Sequence, residues 1–211
     1  MTKLKGLYAI TDSKLMGSDL ISKTEQAILG GINILQYRNK TASLEQQEQE
    51  ALKLAQLCKK NNVLFLINDN VELALKVNAD GVHLGQEDTS LQQARKLLGN
   101  DKVVGVTCHN KIELAEEAQE KGADYVAFGR FFNSETKPSA PPAEISLINE
   151  SKNVISIPIV AIGGITQEVA PRLLEEGADM LAVIHGIFGQ DDILSATRQF
   201  VEIIDSTKAS L

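Results

Sequence analysis

Asp69 and Asp88 each follow a short apolar run, Leu64–Ile67 and Gly81–Leu84, and the amphipathic segment Val71–Val77 lies between those runs. A strand–helix–strand unit of this kind crosses over right-handedly and brings both strand ends to one edge of a parallel sheet. Two carboxylates meeting there repel each other. A hard divalent cation such as Mg²⁺, shared with a polyphosphate, relieves the repulsion. Capping the next helices is the other role open to both residues, and Asp performs it well.

Ile32–Lys40 carries the complementary charge. Side chains alternate across a strand, so Ile32, Ile34, Gln36, Arg38 and Lys40 share one face while Leu35 and Tyr37 share the other. The first face is apolar at its start and cationic at its end. Arg offers a planar fork to phosphate, Lys a point charge, and Gln a neutral donor and acceptor. An exposed turn with solvated charges is the alternative. Farther on, FFNSETKPSAPP sets Ser134, Thr136 and Lys137 ahead of three prolines. Hydroxyls beside a lysine suit an anion, but surface loops are polar in any case. Gly163–Gly164 follows an apolar run, and such a pair lets backbone approach a ligand and turn N–H groups toward phosphate.

These groups need elements to position them. Gly6–Asp12 reads as a strand, and Ser18–Gly30 as a helix with a buried stripe of Leu20, Ile21, Ala27, Ile28 and Leu29. Helices follow over Leu44–Lys60, Val71–Val77, Leu91–Leu98, Ile112–Lys121, Ala143–Glu150, Gln167–Gly177 and Ile193–Ile204. The strands between them are Ile32–Lys40, Leu64–Asn68, Gly81–Leu84, Lys102–His109, Tyr125–Gly129, Ile157–Ile162 and Met180–Ile184. Asn78-Ala79-Asp80, Gly122-Ala123-Asp124 and Gly177-Ala178-Asp179 each separate a helix from a strand, at irregular spacing. They mark a recurring loop type and not a solenoid repeat.

Eight strands alternating with eight helices imply an α/β fold, a closed (β/α)₈ TIM barrel spanning the 211 residues as one domain. A doubly wound open sheet would normally carry a Gly-rich phosphate loop after its first strand, and neither GxGxxG nor a P-loop occurs. In the barrel, Asp12, Gln36, Arg38, Lys40, Asn68, Asp69, Asp88, Thr107, Ser134, Thr136, Lys137 and Gly164 all fall at or just beyond strand C-terminal ends. Those ends form the mouth where barrel active sites sit.

Composition narrows the function classes. A net charge of −7 argues against general affinity for nucleic acid or anionic membrane. No apolar run approaches the roughly 20 residues of a membrane span, and the N-terminus lacks a signal-like region. Cys58 and Cys108 form no metal-ligand spacing and are too few for a disulfide scaffold, so a reduced, cytoplasmic setting is expected. Oligomeric state is left open, a homo-oligomer included.

The motifs QYRNK, INDN, GVHLGQED, VGVTCH, SETK and AIGGIT, in that order, resemble those of the thiamine-phosphate synthase (thiamine-phosphate pyrophosphorylase) family, and the resemblance runs from Leu7 to the HGIF around His185. It implies a (β/α)₈ barrel that joins 4-amino-2-methyl-5-hydroxymethylpyrimidine pyrophosphate to hydroxyethylthiazole phosphate. The products are thiamine phosphate and pyrophosphate, and Mg²⁺ is required. By motif, Gln36, Tyr37, Arg38, Asn39, Lys40, Asn68 and Thr107 would hold the pyrimidine pyrophosphate. Asp69 and Asp88 would bind Mg²⁺, and Lys137 would reach the pyrophosphate. Ser134, Glu135, Thr136, Gly164, Ile184 and His185 would line the thiazole phosphate site. Arg38, Lys40 and Lys137 would act on the leaving group. Two departures stand out. GRFFNSETK replaces a Gly-Pro and Pro-Thr-x-Thr-Lys pattern, and His185 falls where serine is common.

The chemistry so implied needs leaving-group stabilisation and positioning, with no protein nucleophile. An isomerase of a thiazole carboxylate phosphate would need neither the cation set nor both aspartates. A non-catalytic phosphate-binding regulator would tolerate losing Asp69, Asp88 or Lys137, yet all three are present. His83 and His109 receive no role from the sequence.

Overall fold

In the computed structural model, residues 4–133 and 140–210 are described. Their strands are β1 (Gly6–Ile10), β2 (Ile34–Tyr37), β3 (Leu64–Asn68), β4 (Gly81–Leu84), β5 (Val103–His109), β6 (Tyr125–Phe128), β7 (Ile159–Ile162) and β8 (Met180–Val183). Each pairs in parallel with the next, and β1 pairs with β8, closing the barrel. The expected α/β barrel is therefore what forms. The helices are α1 (Ser13–Met16), α2 (Leu20–Gly30), α3 (Leu44–Lys60), α4 (Val71–Lys76), α5 (Leu91–Leu98), α6 (Ile112–Glu120), α7 (Ser146–Ser151), α8 (Ala170–Glu175), α9 (His185–Phe188) and α10 (Ile193–Ala209). Among the described residues, no helix is long and apolar enough to cross a membrane.

Strand alternation builds two cores. Leu7 and Ala9 of β1, Phe65 and Ile67 of β3, and Val104 of β5 point outward and pack under the helices. Tyr8, Ile10, Ile34, Leu64, Leu66, Tyr125, Val160 and Met180 fill the barrel interior. The interior is thus a packed plug below the mouth and not a pore.

The recurring loops have a shared chemistry at the opposite end. Asp80 Oδ2 accepts the Phe65 N–H at 2.8 Å, Asp124 Oδ2 that of Val104 at 2.7 Å, and Asp179 Oδ2 that of Ile159 at 2.8 Å. Each aspartate returns its own N–H to the carbonyl of the same partner residue. Asn33 does the same with Leu7. Every second strand therefore clasps the start of the strand before it. These clasps satisfy N–H groups that lie below the sheet ladder.

Element ends differ from expectation at several places, and three of these lie at or beyond the C-terminal ends of strands. Asp12 caps α1 by accepting from the Lys14 and Leu15 N–H groups, and a 3₁₀ turn over Gly17–Asp19 precedes α2, so the first long helix starts at Leu20 and not at Ser18. Strand β2 stops at Tyr37, where its register with β3 ends at the Tyr37–Ile67 pair, leaving Arg38 to Lys40 beyond the ladder. Helix α8 starts at Ala170, with Pro171 in its first turn, where proline is tolerated.

Candidate active site

A cavity of about 310 Å³ opens at the C-terminal ends of the strands. One side is built by β2 to β5. Gln36, 2 % exposed, ends the inward face of β2. Beyond the ladder, the buried Thr11 takes over: its Oγ1 accepts the Arg38 N–H at 2.8 Å and donates to the Arg38 carbonyl at 3.2 Å. This clasp fixes the backbone from which the Arg38 side chain reaches the cavity wall. Behind the strand, Glu50 of α3 accepts the Tyr37 hydroxyl at 2.6 Å, the Asn39 Nδ2 at 3.0 Å and the Gln46 Nε2 at 2.7 Å. Burial, then the Glu50 carboxylate, push the Tyr37 phenol far up, so it remains a donor.

Lys40 crosses to the next strand and pairs with Asp69 at 2.9 Å. Asp69 has φ 63°, a left-handed conformation that Asp tolerates, and its N–H donates to the His83 carbonyl at 2.8 Å. The Asp88 carboxylate accepts the Gly85 N–H at 2.8 Å. Its pKa is raised, first by desolvation and then by the neighbouring Asp69, with Lys40 pulling the other way. The two aspartates therefore meet across the ends of β3 and β4. Adjacent hard oxygen donors of like charge fit Mg²⁺, which takes one or two carboxylates and fills its remaining positions with water and phosphate oxygens. Among the described residues no group of three or more His, Cys, Asp or Glu converges, so the carboxylate pair is what they offer such an ion.

The other side comes from β6 to β8. Arg130, Gly163, Gly164, Ile184 and His185 line it. Gly163 and Gly164 have φ 105° and 63°. A Cβ on Gly164 would lie 2.2 Å from the Asn133 carbonyl oxygen, and one on Gly163 would lie 2.4 Å from Arg130 Cβ. The glycines thus allow the segment after β6 to lie flat on the segment after β7, where the Phe131 and Phe132 N–H groups donate to the Ile162 and Gly163 carbonyls.

A comparison with protein families matches residues 7–187 to the thiamine monophosphate synthase model. The chain belongs to that family. It is 47% identical over 212 residues to the thiamine-phosphate synthase of Alcanivorax borkumensis, covering 99% of this chain and 98% of that one. It is 48% identical over 198 residues to that of Nitrosospira multiformis, covering 94% and 85%. A solved thiamine phosphate pyrophosphorylase from Pyrococcus furiosus superposes with a TM-score of 0.88 at 32% identity, covering 96% of each chain.

In this thiamine monophosphate synthase family member, the residues singled out from sequence divide by placement. Gln36, Arg38, Asn68, Asp69, Thr107, Gly164, Ile184 and His185 line the cavity. Lys40 and Asp88 join it through Asp69 and Gly85. Tyr37 and Asn39 do not: alternation turns both to the back of β2, onto Glu50. Ser134, Glu135, Thr136 and Lys137 lie outside the described residues. Sequence reasoning passed over Thr11, Glu50 and Arg130. Arg130, a cation just past the end of β6, carried the same signal as Arg38.

Proposed function

We propose that this chain joins 4-amino-2-methyl-5-hydroxymethylpyrimidine pyrophosphate to hydroxyethylthiazole phosphate, releasing thiamine phosphate and pyrophosphate, with Mg²⁺ as its cofactor. The observation that carries this reading is the convergence of Arg38, Lys40 and Asp69 at the mouth of one barrel, with Lys40 and Asp69 2.9 Å apart. Two cations beside a carboxylate pair suit a metal-chelated polyphosphate better than a lone phosphate ester. Family membership, and relatives whose names state this synthase, support the same substrates.

The bond from the pyrimidine methylene to the pyrophosphate oxygen breaks, and its electron pair leaves with pyrophosphate. The electron-rich ring stabilises the methylene cation until the thiazole nitrogen supplies its lone pair to form the C–N bond. Arg38 and Lys40 neutralise charge as it develops on the leaving group, and Lys137 joins them by its motif. Asp69 and Asp88 would hold Mg²⁺, which when bound supplies further charge neutralisation to the pyrophosphate. Gln36, Asn68 and Thr107 orient the pyrimidine. Gly164, Ile184 and His185, with Ser134, Glu135 and Thr136, receive the thiazole phosphate. Preorganised charge and orientation carry the rate, and no protein nucleophile is involved.

Incubation with both substrates and Mg²⁺ tests this directly. Thiamine phosphate and pyrophosphate should appear one for one, and omitting either substrate should abolish both. Binding of both substrates by folded protein without turnover would sink the synthase reading and leave a phosphate-binding regulator.

A further inference from the structure

Below the mouth, five side chains from five strands form one hydrogen-bonded chain. Gln36 Nε2 donates to the Tyr8 hydroxyl at 2.6 Å, and the Tyr8 and Tyr125 hydroxyls lie 2.9 Å apart. The Tyr125 hydroxyl is 2.9 Å from His83 Nδ1, and His83 Nε2 is 2.8 Å from Thr107 Oγ1. The middle of this chain is buried: Tyr8 is 1 % and Tyr125 0 % exposed. Its two ends, Gln36 and Thr107, line the cavity.

The barrel makes room for it. His83, Gly105 and Tyr125 are in register across β4, β5 and β6. A Cβ on Gly105 would lie 2.0 Å from Tyr125 Cζ, so only glycine lets the Tyr125 ring lie over that strand. The His83 and Tyr125 rings stack there at 5.6 Å and 19°. Tyr8 meets Tyr125 edge-on at 6.1 Å. An apolar plug would need none of this. Buried polar groups are retained at a cost unless every one is paired.

Such a chain has a direction. With the Gln36 amide nitrogen donating to Tyr8, the arrangement in which every member both accepts and donates sends the Tyr8 proton to Tyr125 and the Tyr125 proton to His83 Nδ1. His83 is then the neutral Nε2–H tautomer and donates to Thr107, whose own proton turns toward the cavity. Burial keeps both phenols protonated and able to donate. Gln36 thus presents its carbonyl oxygen to the cavity, and Thr107 presents an O–H. Reversing the chain would exchange both roles at once. A 4-aminopyrimidine edge sets a donor amine beside an acceptor ring nitrogen, the complement of that pair.

We infer that Tyr8, Tyr125 and His83 are positioning residues: a directional relay that locks Gln36 as acceptor and Thr107 as donor, and so selects a 4-aminopyrimidine over its 4-oxo counterpart. The inference rests on the synthase reading for its substrate, and the test separates the two. The first arm uses the ligand-free protein, in which nitrogen NMR should show His83 as a single Nε2–H tautomer at neutral pH and a tautomer mixture in Tyr125→Phe. An Nδ1–H tautomer, an imidazolium, or no change in the variant overturns the relay whatever the enzyme turns over. The second arm compares kcat/KM for pyrimidine pyrophosphate and its 4-oxo analogue. Tyr125→Phe should reduce the preference for the amino substrate about tenfold, the worth of one hydrogen bond, with KM for thiazole phosphate unchanged. Tyr8→Phe cuts the same chain, should behave alike, and serves if Tyr125→Phe does not fold. An undiminished preference in the folded variant overturns the inference, because mere loosening of the core would slow both substrates together. Wild-type protein that turns over neither substrate would fault the synthase reading, while the tautomer would still decide the relay.

Discussion

Replacing Asp124 by Ala removes one clasp at the closed end of the barrel. Two bonds converge on its Oδ2, from the Val104 N–H at 2.7 Å and from Arg95 Nη2 at 2.6 Å. Val104 is fully buried, so its N–H gains no water in exchange and costs about 1–3 kcal/mol unpaired. Arg95 keeps the Gly99, Lys102 and Gly122 carbonyls, so losing its carboxylate adds only about 1 kcal/mol. The expected loss is about 2–4 kcal/mol. Asp124→Asn keeps an acceptor for Val104 and should lose only about 1 kcal/mol. Urea unfolding followed by circular dichroism measures both variants. Activity per folded molecule should stay at the wild-type level, since the clasp lies at the end of the strands away from the cavity. Asp124→Ala within about 0.5 kcal/mol of wild type, or Asp124→Asn equally damaging, would refute the assignment of the clasp as the acceptor of a buried N–H.

The remaining predictions concern the mouth. Arg38→Ala and Lys40→Ala should each lower kcat about 100-fold or more with an unchanged far-ultraviolet spectrum; wild-type rates in both would remove the proposed mechanism. Asp69→Asn should raise the Mg²⁺ concentration for half-maximal rate while keeping the fold, since Asn tolerates the φ of 63°; an identical metal titration would count against the ligand role. The raised pKa of Asp88 means that its carboxyl stays protonated to higher pH in the folded, metal-free protein than in the unfolded chain. Its contribution to stability is therefore full below the unfolded value and is lost as pH rises through the raised one. Mg²⁺ competes with the same proton, so calorimetric titration should show affinity rising with pH over that interval in wild type and a flatter response in Asp88→Asn.

The barrel itself is legible because eight apolar runs alternate with amphipathic segments, and period-two alternation assigns Gln36 and Arg38 to one face. The same alternation assigned Tyr37 to the other face, where it is found against Glu50. Taking the whole QYRNK run as substrate contact overrode it. Glu50 could not be read as a support because its distance along α3 says nothing of strand register. The Ala-Asp loops were visible as a repeat, but their work, accepting a buried N–H of the preceding strand, exists only once the strands are paired. The relay was hidden for a similar reason. Tyr8 and Tyr125 read as ordinary apolar strand members. Only closure of the barrel brings β1 opposite β6 and joins the two hydroxyls. His83 takes no role from the sequence, because one histidine in an apolar strand says nothing of what faces it. Clasps such as Thr11 on Arg38 join a side chain to the backbone at the end of another strand and leave no pattern in sequence.

The most direct measurement of the central claim is the initial rate of coupled product formation. Purified protein receives pyrimidine pyrophosphate, thiazole phosphate and Mg²⁺, then EDTA, then excess Mg²⁺. Thiamine phosphate and pyrophosphate should rise together, stop together on chelation and resume together. Pyrophosphate without thiamine phosphate, or neither product from folded protein, would contradict the assignment of the barrel mouth as the place where the two substrates are joined.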